Sequence, residues 1–160
     1  MHSAHIKPFA PADVDWIVDR HGALYARDEG FDASFPALVA SILVDFTAHA
    51  QPGRDAGWVA WRDGKRQGCI FVVAEAPDIA KLRLVLVEPE SRGTGLAQAL
   101  LDTALGFARD AGYGAMRLWT HESHVAAGRL YARNGFSLIE SEAKQAFGQP
   151  VVSQIWQRKL

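Results

Sequence analysis

The segment Arg92-Gly93-Thr94-Gly95-Leu96-Ala97 lies between an apolar run ending at Pro89 and a stretch in which Leu96, Leu100, Ala104, Phe107 and Ala111 recur at helical spacing. A strand passed through a glycine turn into a helix is a building block of layered α/β architecture, and it limits what the chain can fold into. The first N–H groups of a helix have no intrahelical partner, and the macrodipole adds positive charge there, so such a turn can hold a phosphate by main chain alone. Glycines let the backbone come close and take positive φ. A dinucleotide fingerprint needs a third glycine where Gln98 stands, and a nucleoside triphosphate loop needs Gly-Lys-Ser or Gly-Lys-Thr, which is absent. What remains is Arg-x-x-Gly-x-Ala, either a cradle for a pyrophosphate that uses neither metal nor lysine, or an ordinary tight turn.

The rest of the chain supplies a matching frame. Val14, Ile17, Val18, His21, Leu24 and Tyr25, then Leu38, Val39, Ile42, Leu43 and Phe46, recur at three- and four-residue spacing and predict two helices within 11–49. Ser34 is the expected N-cap of the second, with Pro36 inside its first turn. Trp58 to Arg62 and Cys69 to Glu75 flank Asp63-Gly64, a favoured hairpin pair. Leu82 to Val87 reads as a strand buried on both faces except at Arg83, which alternation places beside Lys81, Val85 and Val87. After the helix over 95–111, stopped by Gly112, come a strand over Ala115 to Thr120, a helix over Val125 to Arg133, and strands over Phe136 to Ile139 and Val151 to Trp156. The order predicts an α/β (α+β) chain with a mixed sheet and helices on its faces.

With 160 residues the chain is expected to form one domain, residues 1–160, around a single core. Its 17 basic and 18 acidic side chains leave no basic excess for nucleic acid, and no apolar run approaches the roughly 20 residues of a membrane span. Cys69 is the single cysteine, and the start Met1-His2-Ser3-Ala4-His5 has no signal-peptide pattern, so a cytoplasmic setting is expected.

Leu130-Tyr131 followed by Gly135-Phe136 places a tyrosine at the end of a short helix, just before a glycine turn into a strand. With the glycine loop in the same order, the region from Lys81 to Glu140 resembles the GCN5-related N-acetyltransferase (GNAT) family. The leading helices, the hairpin and the closing strands extend the likeness over nearly the whole chain. More narrowly, His21 to Arg27, Ala80 to Leu84 and the tail with Phe147-Gly148 and Gln154-Ile155-Trp156 look like the acetyltransferase half of proteins that carry a MarR-type winged helix ahead of it; that DNA-binding half is not expected here. The resemblance implies a splayed, mostly antiparallel mixed sheet of six to seven strands flanked by about four helices. It also implies acetyl-CoA as co-substrate and direct transfer to a small amine, with no metal expected; the assembly is left open, a homodimer being one option.

On that resemblance Val85, Leu86 and Val87 pair with the pantetheine arm, while the N–H groups of Arg92, Gly93, Thr94, Gly95, Leu96 and Ala97 hold the pyrophosphate. Tyr131 matches the tyrosine that protonates the departing thiolate; otherwise it is a core tyrosine. His124 stands where many members have an asparagine that binds the coenzyme, and it is either a ligand, a titratable group or an exposed histidine at a helix start. His121 is equally open. Glu88, Glu75, Asp28 and Glu29 are candidate bases through water. Arg83 needs a partner in an apolar element, either a protein carboxylate or an acidic group of the acceptor, which favours an amino-acid-like amine. Tyr25, Trp119 and Phe31 are candidate aromatic walls of the acceptor pocket. A non-catalytic acyl-CoA-binding sensor is the alternative function.

Overall fold

The computed structural model describes residues 4–160; Met1, His2 and Ser3, part of the N-terminal segment considered above, lie outside the described residues. In chain order the elements are β1 (His5–Pro8), α1 (Val14–Glu29), α2 (Ser34–His49), β2 (Ala56–Arg62), β3 (Lys65–Ala76), β4 (Ile79–Val87), α3 (Leu96–Asp110), β5 (Ala115–His121), α4 (Val125–Arg133), β6 (Ser137–Ala146) and β7 (Gln149–Lys159). The chain divides into two compact units, one with the chain up to Pro11, Ala50–Met116 and the last two residues, the other with Ala12–His49 and Arg117–Arg158.

In the first unit β1, β2, β3 and β4 pair antiparallel in that order. The β2–β3 hairpin turns through Asp63 (φ 52°) and Gly64 (φ 72°), the two left-handed residues that a two-residue turn needs, as Asp-Gly predicts. β1 was not anticipated. It is four residues long, ends on a proline and takes its shape from pairing with β2, so it carries no periodic signal of its own. Helix α3 buries Leu96, Leu100, Leu101, Ala104, Leu105 and Ala108. A Cβ at Gly68 of β3 would lie 3.1 Å from Leu100 Cδ1 and 3.6 Å from Leu96 Cδ2, so this helix packs against β3 there. Gly112 (φ 87°) ends the helix as expected.

β4 departs from its reading in two ways. Its burial alternates, with Ala80, Leu82 and Leu86 buried and the residues between half-buried, so it is not covered on both faces throughout. Leu84 also takes φ 52°, and between Cys69↔Leu86 and Phe71↔Arg83 two residues of β4 oppose Ile70 alone. That bulge shifts the side-chain phase by one. Arg83 therefore shares its face with Lys81 and Leu86, opposite Phe71, Val73 and Cys69, while Val87 pairs with Gly68 on the other face. The expected grouping of Arg83 with Val85 and Val87 is corrected accordingly. Cys69 Sγ–H donates to the Leu84 carbonyl at 3.2 Å and braces the bulge.

In the second unit α1 ends at Gly30 in the left-handed region, its N–H bonded to the Ala26 carbonyl. The N-terminal acceptor of α2 is Asp32 rather than Ser34: its Oδ1 takes the Ser34 N–H at 3.0 Å and the Ser34 hydroxyl as well. Ser34 is the first helical residue, and the carboxylate two positions earlier is the stronger acceptor at a positive helix end. β6 and β7 form a long hairpin through Phe147 (φ 55°) and Gly148 (φ 78°). β6 is exposed almost throughout, which is why its apolar signal covers only its first residues.

His21 sits on the buried face of α1, as its spacing predicts, at 2% exposure. Its Nδ1–H donates to the Ile17 carbonyl at 2.7 Å, while Nε2 is buried with no hydrogen-bond partner. Burial lowers its pKa from the ordinary 6.5 to about 4, against a smaller opposing effect of the Ile17 bond. The folded state thus binds fewer protons than the unfolded one between those values. Stability is fully present above pH 6.5 and is lost as pH falls toward 4, by about 3 kcal/mol for this group. Urea titrations from pH 7 to 4 should show that loss, and His21→Leu should remove most of it; an unchanged slope in the variant would contradict the assignment.

Candidate functional site

In the first unit the site is built on the end of β4 and the start of α3. Gly95 is the N-cap of α3 (φ 85°, ψ 3°), and no side chain caps this end. The Ala99 N–H reaches back to the Gly95 carbonyl at 3.0 Å, which leaves the N–H groups of Leu96 and Ala97 without an intrahelical acceptor. Gly93 (φ 74°) adds a second left-handed turn, and a Cβ at either glycine would meet nothing within 4 Å, so the loop is open as well as bent. Arg92, Gly93, Thr94 and Gly95 are exposed. Not all the expected donors are idle: Arg92 N–H already bonds the Pro89 carbonyl at 3.2 Å and Thr94 N–H the Ser91 carbonyl at 3.4 Å.

Beneath the loop lies a buried polar network that the sequence reading did not identify. Ser91, 1% exposed, donates its hydroxyl to Gln67 Oε1 at 2.6 Å and accepts from Arg62 Nη1 at 2.9 Å. Gln67 Nε2 in turn donates to Glu90 Oε1 at 2.9 Å, and the Gln67 carbonyl accepts the Glu88 N–H at 2.8 Å. These bonds tie the turn after β4 to the neighbouring strands, so the glycine loop starts from a bonded base. A polar residue at a buried strand position, Gln67, was the available signal.

Glu88 is buried at 8% exposure, beside the loop. Glu75 Oε2 lies 3.7 Å from Lys81 Nζ, both side chains being half-buried. Burial, and then Arg83, lower the Lys81 pKa, with Glu75 opposing them. Arg83 is half-buried, on the same face as Lys81. Val85 and Val87 are half-buried and Leu86 is buried.

In the second unit Tyr131 is buried near the end of α4, its ring 5.7 Å from that of Phe136 and 6.5 Å from that of Trp156. Burial raises its phenol above the ordinary value, so the hydroxyl keeps its proton. A second group gathers around the C-terminal end of α1. Tyr25 stacks on Phe35 at 4.5 Å and meets His124 edge-on at 5.1 Å; Phe31 meets His121 edge-on at 5.5 Å. His124 Nε2 lies 3.1 Å from Glu29 Oε1. His121 Nδ1 is buried without a partner, and burial, then His124, lower its pKa. The structure thus brings Tyr25, Phe31, His121, His124 and Glu29 together, whereas Trp119 on β5 is 38% exposed. Phe35 and Phe147, also in this cluster, were not among the expected pocket residues.

Among the described residues no group of three or more His, Cys, Asp or Glu side chains is placed to hold a metal ion, and no helix is long and apolar enough to cross a membrane.

The model of the acetyltransferase (GNAT) family matches residues 21–136. Among curated proteins, N-acetyltransferase 8B of Homo sapiens is 38% identical over 84 residues, covering 49% of this chain and 37% of that protein. The mycothiol acetyltransferase of Thermomonospora curvata is 35% identical over 108 residues, covering 66% of this chain and 36% of that protein. The chain thus spans little more than a third of the length of these two relatives. A GCN5-related N-acetyltransferase from Kribbella flavida superposes with a TM-score of 0.79 at 21% identity, over 98% of each chain, and shares the fold.

Proposed function

Because the chain belongs to the acetyltransferase (GNAT) family, we propose that it transfers the acetyl group of acetyl-CoA directly to the nitrogen of a small amine, acting as one domain. The observation that carries this reading is the uncapped start of α3, where Gly93 and Gly95 expose main-chain N–H groups in a loop anchored by Ser91 and Gln67. Such an end favours a diphosphate through charge-assisted bonds and the helix dipole. In this reading the N–H groups of Gly93, Gly95, Leu96 and Ala97 hold the pyrophosphate, Arg92 and Thr94 border it, and the main chain of Val85 to Val87 receives the pantetheine arm. Tyr131 protonates the thiolate, since its phenol is buried and neutral. Tyr25 and His121, which the second unit gathers around His124, belong to the acceptor side. The relatives named above are enzymes and do not favour a purely sensory module. Within the family, the segments around His21, Ala80 and Phe147 support the subgroup whose members also carry a MarR-type winged helix.

Calorimetric titration with acetyl-CoA and with acetyl-pantetheine, which lacks the pyrophosphate and the adenosine 3′-phosphate beyond it, tests the coenzyme site, and the Gly95 variant isolates the share of the loop. The wild type should bind acetyl-CoA about 100-fold more tightly than acetyl-pantetheine. Gly95→Val forces a β-branched residue to φ 85° and should erase most of that difference. Equal affinities in the wild type would overturn the reading.

A further inference from the structure

An acceptor amine reaches a site at neutral pH mainly as its ammonium ion, and the nitrogen must lose a proton before it can attack. The geometry points to the Glu29–His124 pair as the group that takes that proton, with His124 as the base and Glu29 as the residue that orients it. This rests on the acetyl-transfer reading above. The two side chains are only 15% and 18% exposed, and their 3.1 Å contact fixes the tautomer. A carboxylate only accepts, so Nε2 carries the proton and Nδ1 keeps its lone pair. Thr120 Oγ1 stands 3.4 Å from that Nδ1, at the long end of a hydrogen bond, where a charged donor would displace it.

The base is also held by its main chain: the His124 N–H bonds the His121 carbonyl at 2.9 Å, and its carbonyl takes the Gly128 N–H at 3.0 Å, opening α4. The groups that face it are Glu29, Asp28 and Tyr25 from α1 and His121 from β5, with Lys144 of β6 acting on His121. Burial lowers the His124 pKa and outweighs the raising effect of Glu29 and Asp28, so the ring is neutral and ready to accept. Glu29 also lines a cleft of about 660 Å³ in this unit, together with Phe31, Glu122, Lys144 and Gln149. Glu29 and Glu122 outnumber Lys144 in that lining, which with the Phe31 ring suits a primary ammonium on a short apolar group.

The ammonium gives one proton to His124 Nδ1, which later passes it to solvent. The nitrogen lone pair forms the N–C bond to the thioester carbonyl, the C–S bond breaks, and the thiolate takes the Tyr131 proton. The second proton leaving the nitrogen restores the Tyr131 phenol. One proton is released for each acetyl group transferred.

The test combines a pH profile with a measurement that needs no turnover. His124→Asn should lower kcat/KM for a primary amine about 100-fold at pH 7 and replace the wild-type plateau by a rise of about tenfold per pH unit, as only amine neutral in solution reacts. Its affinity for acetyl-CoA, read by calorimetry, should not change. Glu29→Gln should fall between the two. In the free protein, nitrogen NMR should show the Nε2–H tautomer of His124, and Glu29→Gln should lower its pKa by about one unit, since an opposite charge is lost. An unchanged pH profile, the other tautomer, or a loss confined to acetyl-CoA affinity would each overturn the assignment. A wild type that releases no thiol with any amine would instead overturn the acetyl-transfer reading, while the NMR result would still decide whether Glu29 orients His124.

Discussion

Tyr131→Phe should lower kcat about 100-fold while leaving KM for acetyl-CoA within about twofold. The ring packs against Phe136 and Trp156 and is 5% exposed, so phenylalanine keeps the packing and removes only the proton donor. The pH dependence gives a second readout. Burial raises the phenol above its ordinary value near 10, so the acid stays protonated through the usual assay range. Activity of the wild type should therefore show no loss from phenol ionisation up to that pH, and the variant should be slow at every pH. An unchanged kcat would mean that the thiolate is protonated by another group.

Gly68→Val should destabilise the protein by about 2–3 kcal/mol, read from urea unfolding. A Cβ at this position would stand 2.7 Å from the Leu86 carbonyl oxygen and 3.1 Å from Leu100 Cδ1. The first obstacle is main chain and cannot rotate away. Relief would push β4 off β3 just beyond the Leu84 bulge, in the strand that leads into the glycine loop. Gly106→Ala in α3 is the control: a Cβ there meets nothing within 4 Å beyond the helix's own backbone, and alanine should add about 0.5–1 kcal/mol. Loss of stability in the control, or none in Gly68→Val, would show that close packing of β3 is not the cause.

What the sequence disclosed and what it hid divide along physical lines. Asp63-Gly64, Gly95 and Gly112 were legible because each turn is fixed by its own residues through positive φ. His21 was legible as a buried helix position because spacing alone decides which face it occupies. The bulge at Leu84 was not, because one extra residue against Ile70 leaves no mark in an apolar run, and it reversed the side assigned to Val85 and Val87. The bonds from Ser91 to Gln67 and from His124 to Glu29 join residues far apart in the chain, so their partners emerge only when the fold assembles them. The same distinction runs through the site: the loop could be read locally, while the base required knowing what α1 places beside the start of α4.

Acetyl transfer is tested most directly by thiol release from acetyl-CoA by the wild-type protein across a panel of primary amines, with the acetylated product identified by mass spectrometry. The release should depend on the amine and saturate in both substrates, with one N-acetyl product formed per thiol. Saturable binding of acetyl-CoA with no amine in the panel raising thiol release above the hydrolytic background would contradict it.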